Sequence, residues 1–207
     1  MLKLTPILLA IGTGVVMYLF SAWRTNRMLD SQSTPLQEPR LMALSNRLAR
    51  ALDLTRLNVH VYEIDVINGL AAPDGRIFIT RGFLTKLKAG EVTEEEITSV
   101  IAHELGHVAL GHSKRRMIDF SGQNAIRVVL GIILARFIPF FGVYIADFVA
   151  KLIGSRLSRQ DEYEADAYAA ALLTKAEIGV APQINLFKKL EKMAPTTGMP
   201  AWMLSHG

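Results

Sequence analysis

"IAHELGHVALGH", residues Ile101 to His112, decides how the rest of this chain is interpreted. It holds three of the five histidines of the protein, His103, His107 and His112. On a helix, His103 and His107 project from one face, one turn apart, which is a spacing at which two imidazoles can share a metal ion. Glu104 is rotated by about 100° from His103, so its carboxylate lies beside the open position of that metal.

A start signal for a helix precedes this stretch. Thr93 followed by Glu96 fits a capping box, which predicts a helix from Glu94 to about Gly111. Within that helix the letters HELGH match the HExxH arrangement of zinc peptidases, in which the glutamate acts as general base. A half-buried helix with hydrogen-bonded histidines is the competing interpretation of this stretch taken alone.

Two imidazoles leave a catalytic zinc site incomplete, because such sites normally have three protein ligands and a water. The metzincin pattern requires a glycine and a histidine where this chain has Leu110 and Ser113. His112 follows His103 by nine residues, which at 100° per residue turns it away from the metal-facing stripe. We therefore expect His112 to lie at the helix end or behind a ligand, without binding the metal itself.

A second segment, SRQDEYEADAYAAALL at Ser158–Leu173, offers the missing ligand. Glu162 and Asp166 are four residues apart, so on the helix predicted for this segment they share one face. Glu162 is the candidate third ligand, and Asp166 is the candidate acceptor for the spare N–H of a ligand histidine. A solvated charged face is the alternative for this segment. The surrounding alanines and leucines favour close packing, and hence the metal site.

The first part of the chain predicts a membrane anchor. Residues 4–23 carry no charge, and twenty residues of helix cross a hydrocarbon core of about 30 Å. We predict a retained anchor over residues 1–28 in the cell (inner) membrane. Arg24 and Arg27 follow the span and favour the cytoplasmic side for the rest of the chain. The alternative is a cleaved signal peptide, which would leave a soluble secreted protein.

The remainder predicts one mainly helical α+β domain over residues 41–207, after a polar linker at residues 29–40. Leucines at helical spacing predict an amphipathic helix that begins at Leu41. The β-rich runs Asn58–Val66 and Arg76–Thr80 predict a small sheet in which they are neighbouring strands. We expect a further amphipathic helix at the end of the domain, over residues 182–193.

An apolar insert at about residues 125–154 is the second hydrophobic region of the chain. Charged residues and a proline interrupt it, so neither half reaches the length of a membrane span. The insert predicts two helices that are buried or lie against the bilayer.

Composition narrows the kinds of partner and site. The net charge is +4, and no basic stripe interleaved with aromatic residues is present in the sequence, which argues against nucleic acid as a partner. A modest basic excess is typical of chains whose segments lie beside a membrane. The chain has no cysteine, so histidines and carboxylates must supply the ligands of any metal.

The paired segments HELGHVALGH and SRQDEYEADAYA resemble the HtpX and CAAX prenyl endopeptidase family of membrane zinc metallopeptidases. INGLAAPDGRIFITRGFL is also similar to the strand-and-turn segment that precedes the active-site helix in that family. The resemblance covers residues from Leu41 to His206. It implies a zincin-like metallopeptidase domain with a small β-sheet, an N-terminal transmembrane helix and one zinc ion per chain.

Carried over residue by residue, the resemblance implies zinc on His103, His107 and Glu162. It implies that Glu104 is the general base and that Asp166 hydrogen-bonds to a ligand histidine on the side away from the zinc.

Two further residues enter through the resemblance alone. His206, in the segment LSHG, corresponds to a late histidine that stabilises the oxyanion, although Gly207 stands where that family has proline. This departure predicts a truncated C-terminus. Asn68 corresponds to the family's asparagine in the strand segment and is predicted to contact substrate, although NGLAAPDG departs from the family's usual wording.

These observations predict a membrane-anchored zinc-dependent endopeptidase in membrane-protein or misfolded-protein quality control. Its expected partners are a polypeptide substrate and the lipid bilayer. The strand at Arg76–Thr80 is predicted to offer its edge to an extended substrate. The alternative from another class of protein is a membrane-bound chaperone or assembly factor whose zinc is structural.

Overall fold

The computed structural model describes residues 5–72, 74–112 and 142–193. These residues are mainly helical and include a small mixed sheet of four strands. In chain order the elements are α1 (Thr5–Ser31), β1 (Ser33–Pro35), α2 (Pro39–Ala51), β2 (Val59–Tyr62), β3 (Gly69–Ala71), β4 (Ile77–Thr80), α3 (Arg81–Lys88), α4 (Glu94–Ala109), α5 (Gly142–Lys175) and α6 (Ala181–Met193).

The sheet has the strand order β1-β2-β4-β3. The predicted neighbours β2 and β4 do pair, and they are parallel, while β1 and β3 each add an antiparallel strand at an edge. The prediction that the strand at Arg76–Thr80 offers a free edge to the substrate was therefore wrong, because β4 has β2 on one side and β3 on the other. β1 lies within the predicted linker, where Pro35 is tolerated because an edge strand needs fewer ladder hydrogen bonds.

Helix α4 lies at the centre of the fold and packs on the sheet and on α2, α5 and α6. Its predicted capping box is confirmed: the Glu96 N–H donates to Thr93 Oγ1 at 3.2 Å, and the Thr93 N–H donates to Glu96 Oε2 at 2.9 Å. Lys189 Nζ, from α6, also donates to Glu96 Oε2 at 2.8 Å. The first turn of α4 is thus fixed both by its own cap and by the last helix.

The apolar side of α4 forms the main core together with the predicted amphipathic helix α2. Its fully buried aliphatic side chains include Leu41 and Leu48 of α2, Ile97 and Ile101 of α4, and Leu173 of α5. Burial of this many large aliphatic side chains is the main force that holds α4 in one orientation. The other side of α4 carries the predicted site residues.

Helix α5 differs from its prediction. The sequence suggested a boundary between the apolar insert and the helix at Ser158, whereas the structure has one continuous helix over Gly142–Lys175. The composition changes there from apolar to charged, but after its first residue, Gly142, the helix contains only one glycine, Gly154, and no proline. One glycine costs only about 1 kcal/mol. Residues 125–141 of the predicted insert lie outside the described residues.

The predicted helical segment at the start of the chain is present as α1. In the part of the chain that the structure describes, no helix combines the length and the apolarity needed to cross a membrane. The membrane anchor therefore stays a prediction from the sequence.

Candidate metal centre

The structure brings together three residues that the sequence singled out as metal ligands. His103 and His107 project from α4, and their Nε2 atoms are 3.1 Å apart. Glu162 projects from α5, and its Oε2 lies 3.4 Å from His103 Nε2 and 3.6 Å from His107 Nε2. A tetrahedral zinc ion with bonds of about 2.0–2.1 Å places its ligand atoms about 3.3 Å apart. The three side chains therefore fit a zinc ion.

Glycine at position 106 allows α5 to approach closely enough for Glu162 to reach the histidines. A Cβ atom on Gly106 would lie 3.0 Å from Ala165 Cα and 3.1 Å from Ala165 O. The two helix backbones thus meet at this point, one turn from Glu162. The sequence signal was a glycine inside a strongly predicted helix, which usually has a packing reason.

Gly106→Ala is expected to destabilise the metal-free protein, because the added methyl pushes against the backbone of Ala165 at a cost of about 1–3 kcal/mol. This loss should exceed the gain of about 1 kcal/mol that alanine gives inside a helix. Urea unfolding followed by circular dichroism measures it. Gly12→Ala is the control, since a Cβ on Gly12 of α1 meets nothing within 4 Å. Equal or greater stability of Gly106→Ala would contradict the close contact.

Asp166 holds His103 from behind. Its Oδ1 lies 2.9 Å from His103 Nδ1, so the Nδ1–H donates to the carboxylate and Nε2 faces Glu162. Burial lowers the pKa of His103, but hydrogen bonds to Asp166 and Glu162 outweigh it and raise this pKa to about 10. Burial raises the pKa of Glu162, yet its hydrogen bonds with both histidines hold it below the usual value. In the metal-free protein His103 thus carries a second proton, on Nε2, which a metal ion has to displace.

Glu104 lies on the side of α4 that faces the sheet. Burial raises the pKa of its carboxyl group, and the charges of His103 and His107 offset part of that rise. The backbone N–H of Ala71, in β3, donates to the carboxylate. A carboxyl group whose pKa is raised is suited to accept a proton and release it again near neutral pH.

Strand β3 passes directly beside Glu104. A side chain at Gly69 would collide with Val100 of α4 and crowd Glu104, so this position has to be glycine for β3 to lie on the helix. Asn68 precedes β3, and its main chain is tied to Thr80: its N–H donates to Thr80 Oγ1 at 2.9 Å and its C=O accepts from the Thr80 N–H at 3.1 Å. Asn68 thus adjoins the strand that lies beside Glu104, whereas His206 lies outside the described residues.

Comparison with known proteins shows similarity to a family of peptidases. The family model described as "Peptidase family M48" matches residues 35–206. The metalloprotease LoiP of Escherichia coli (strain K12) is 32% identical over 74% of this chain and 59% of its own length. A protease HtpX homolog of Salinibacter ruber is 30% identical over 96% of this chain and 73% of its own.

A more distant relative is the mitochondrial metalloendopeptidase OMA1 of Homo sapiens, 25% identical over 72% of this chain and 29% of its own length. The chain therefore spans less than two thirds of the length of LoiP and less than a third of OMA1.

Proposed function

This chain belongs to peptidase family M48, as its paired motifs predicted, and on that premise we propose that it is a zinc-dependent endopeptidase. The observation that carries the proposal is the convergence of His103, His107 and Glu162, with ligand atoms within 4.8 Å of one another. This cluster offers three protein ligands, which is typical of catalytic zinc, whereas structural zinc normally has four. The number of ligands thus favours an enzyme over a chaperone with a structural metal.

The proposed reaction is hydrolysis of a peptide bond. A zinc ion, when bound, supplies Lewis acidity that polarises the scissile carbonyl and lowers the pKa of a water molecule. Glu104 accepts a proton from the attacking water and later donates it to the leaving amine. Asp166 keeps the Nδ1 proton on His103, so that Nε2 of that ring is available as a ligand.

We assign the main chain of the substrate to β3, since this strand is at the edge of the sheet formed by the described residues and adjoins Glu104. An extended peptide can add to such an edge through main-chain hydrogen bonds. A peptide bound to an inactive variant should then slow amide hydrogen exchange across Gly69–Ala71. Unchanged exchange rates there, with the peptide bound, would contradict this placement.

The proposal includes a membrane anchor at residues 4–23, with the site on the cytoplasmic side. An enzyme held there would meet membrane proteins and misfolded chains near the bilayer, which supports a role in protein quality control. The full chain should remain in the membrane fraction after washes with high salt, because its uncharged run binds through apolar contacts. Release by salt alone would contradict the anchor.

Metal analysis combined with hydrolysis of a permanently unfolded protein tests the enzyme assignment. We expect one zinc per chain, hydrolysis that a chelator abolishes, and recovery when zinc is restored. Hydrolysis that persists after complete removal of the metal would overturn the proposal. Full zinc occupancy without hydrolysis, together with suppression of aggregation, would favour the membrane-bound chaperone or assembly factor.

A further inference from the structure

His112 is a buried histidine that the proposed reaction does not use. Helix α4 ends at Ala109, and Gly111 takes a φ of +68°, a conformation that favours glycine. A continued helix would carry His112 about 140° round from His107. The turn at Gly111 instead brings His112 back behind His107, where only 1% of its surface is exposed.

The two rings meet edge to face through one pair of nitrogens. His107 Nδ1 and His112 Nδ1 are 2.8 Å apart, with an angle of 70° between the ring planes. One of these atoms must carry the proton and the other must accept it. His107 directs its Nε2 at the metal cluster, so a neutral His107 that binds a metal through Nε2 keeps its proton on Nδ1. His112 Nδ1 is then the acceptor.

The groups around Nε2 of His112 favour the same assignment, with Nδ1 as the acceptor. Its Nε2 lies 3.4 Å from Glu164 Oε2 and 3.8 Å from Asp161 Oδ1. Carboxylates are acceptors, so they favour a proton on Nε2. Glu164 is itself positioned by the amide of Gln160, which donates to Oε1 at 2.8 Å. The neighbours on both sides therefore select the same form of His112.

We propose that His112 is a positioning residue for the metal ligand His107. As the neutral Nε2–H form, it accepts the Nδ1–H of His107 and holds that ring with Nε2 toward the ion. This inference rests on the proposed function, because it requires zinc on His107. Each ligand histidine then has its own hydrogen-bond acceptor: the carboxylate of Asp166 for His103, and the imidazole of His112 for His107.

The hydrogen bond between His107 and His112 also decides whether a second cluster can bind a metal ion. His112, Asp161 and Glu164 also lie close enough together to hold a metal ion. A metal on His112 Nε2 would put the ring proton on Nδ1, where it would face the Nδ1–H of His107. With zinc on His107, this second cluster therefore acts as a hydrogen-bonding support and excludes a second ion.

Two substitutions of nearly equal shape separate hydrogen bonding from packing. His112→Asn places an amide oxygen where Nδ1 lies, whereas His112→Leu places a methyl group there, and both remove the far side of the ring. We expect His112→Leu to weaken zinc binding by about 10- to 100-fold, the usual effect of losing a partner behind a ligand. His112→Asn should stay within about threefold of wild type, because it still accepts the hydrogen bond. Competition with a chromogenic chelator measures both affinities.

The outcomes are distinguishable. A wild-type chain that takes up no zinc overturns the proposed function and this inference together. A wild-type chain that binds zinc as tightly as His112→Leu overturns the inference alone. Equal weakening by Leu and Asn also overturns it, since His112 would then act through packing.

Nitrogen-15 NMR of the histidine rings in the zinc-loaded wild-type protein needs no variant to fold. We expect His112 to be protonated at Nε2 and unprotonated at Nδ1, and His107 to be protonated at Nδ1. A proton on His112 Nδ1 would overturn the proposal.

Discussion

Glu104→Gln is expected to lower kcat for hydrolysis of an unfolded protein by about 10²- to 10⁴-fold while zinc content stays at the wild-type level. Glutamine has nearly the shape of glutamate, and its amide oxygen can still accept the N–H of Ala71. It cannot take a proton from water at neutral pH. The Glu104 carboxylate is not part of the cluster formed by His103, His107 and Glu162, so the metal should be retained.

Glu95→Gln is the matched control, since it removes another carboxylate from the same helix, in its first turn. Glu95 pairs with Arg40 at 2.8 Å on the surface, so its loss should leave both zinc content and kcat close to wild type. Full hydrolysis by Glu104→Gln would sink the enzyme assignment. Loss of zinc in that variant would instead show that Glu104 supports the metal.

Glu162→Ala should abolish stoichiometric zinc binding and reduce hydrolysis to background. It removes one of three ligands. The loss of zinc affinity should therefore exceed about 100-fold, the upper value typical of losing a residue that only hydrogen-bonds to a ligand. Zinc at 100 times its wild-type Kd stabilises the folded protein by about 2.7 kcal/mol, and this gain should vanish in the variant. Thermal unfolding with and without zinc measures the difference.

Tyr163→Ala serves as the control for that experiment. Tyr163 is the next residue of α5 and is 73% exposed, so it shares the helix but not the cluster. Its zinc affinity and its stabilisation by zinc should match wild type. If Glu162→Ala keeps wild-type affinity, the third ligand has been wrongly assigned.

The parts that sequence predicted well are those with local causes. The capping box at Thr93 and Glu96 and the leucine spacing of α2 depend on residues within a turn or two of each other. The same periodicity placed His103 and His107 on one face and Glu162 and Asp166 on another. Whether these two faces meet depends on packing between helices. The sequence alone left open the alternative that the face with Glu162 and Asp166 is exposed to solvent.

The missed features have non-local causes. β1 and β3 have three residues each, too few for a period of two to be visible, and they exist because partner strands lie beside them. Helix α5 continues through a change of composition that looked like a boundary. His112 lies at the helix end, behind a candidate ligand, as predicted; only its partner, His107, was missed, because the contact depends on the backbone turn at Gly111, which a helical wheel does not include.

The ligands come from two helices, α4 and α5, that are far apart along the chain. Packing of α5 on α4 already closes the intervening segment, and the entropy lost in closing a chain grows only with the logarithm of its length. Doubling that length costs about 0.6 kcal/mol. A shift of one residue within α5, by contrast, turns Glu162 about 100° away from the ion. Insertions between the two helices should therefore be nearly neutral for metal affinity, and insertions within either helix should not.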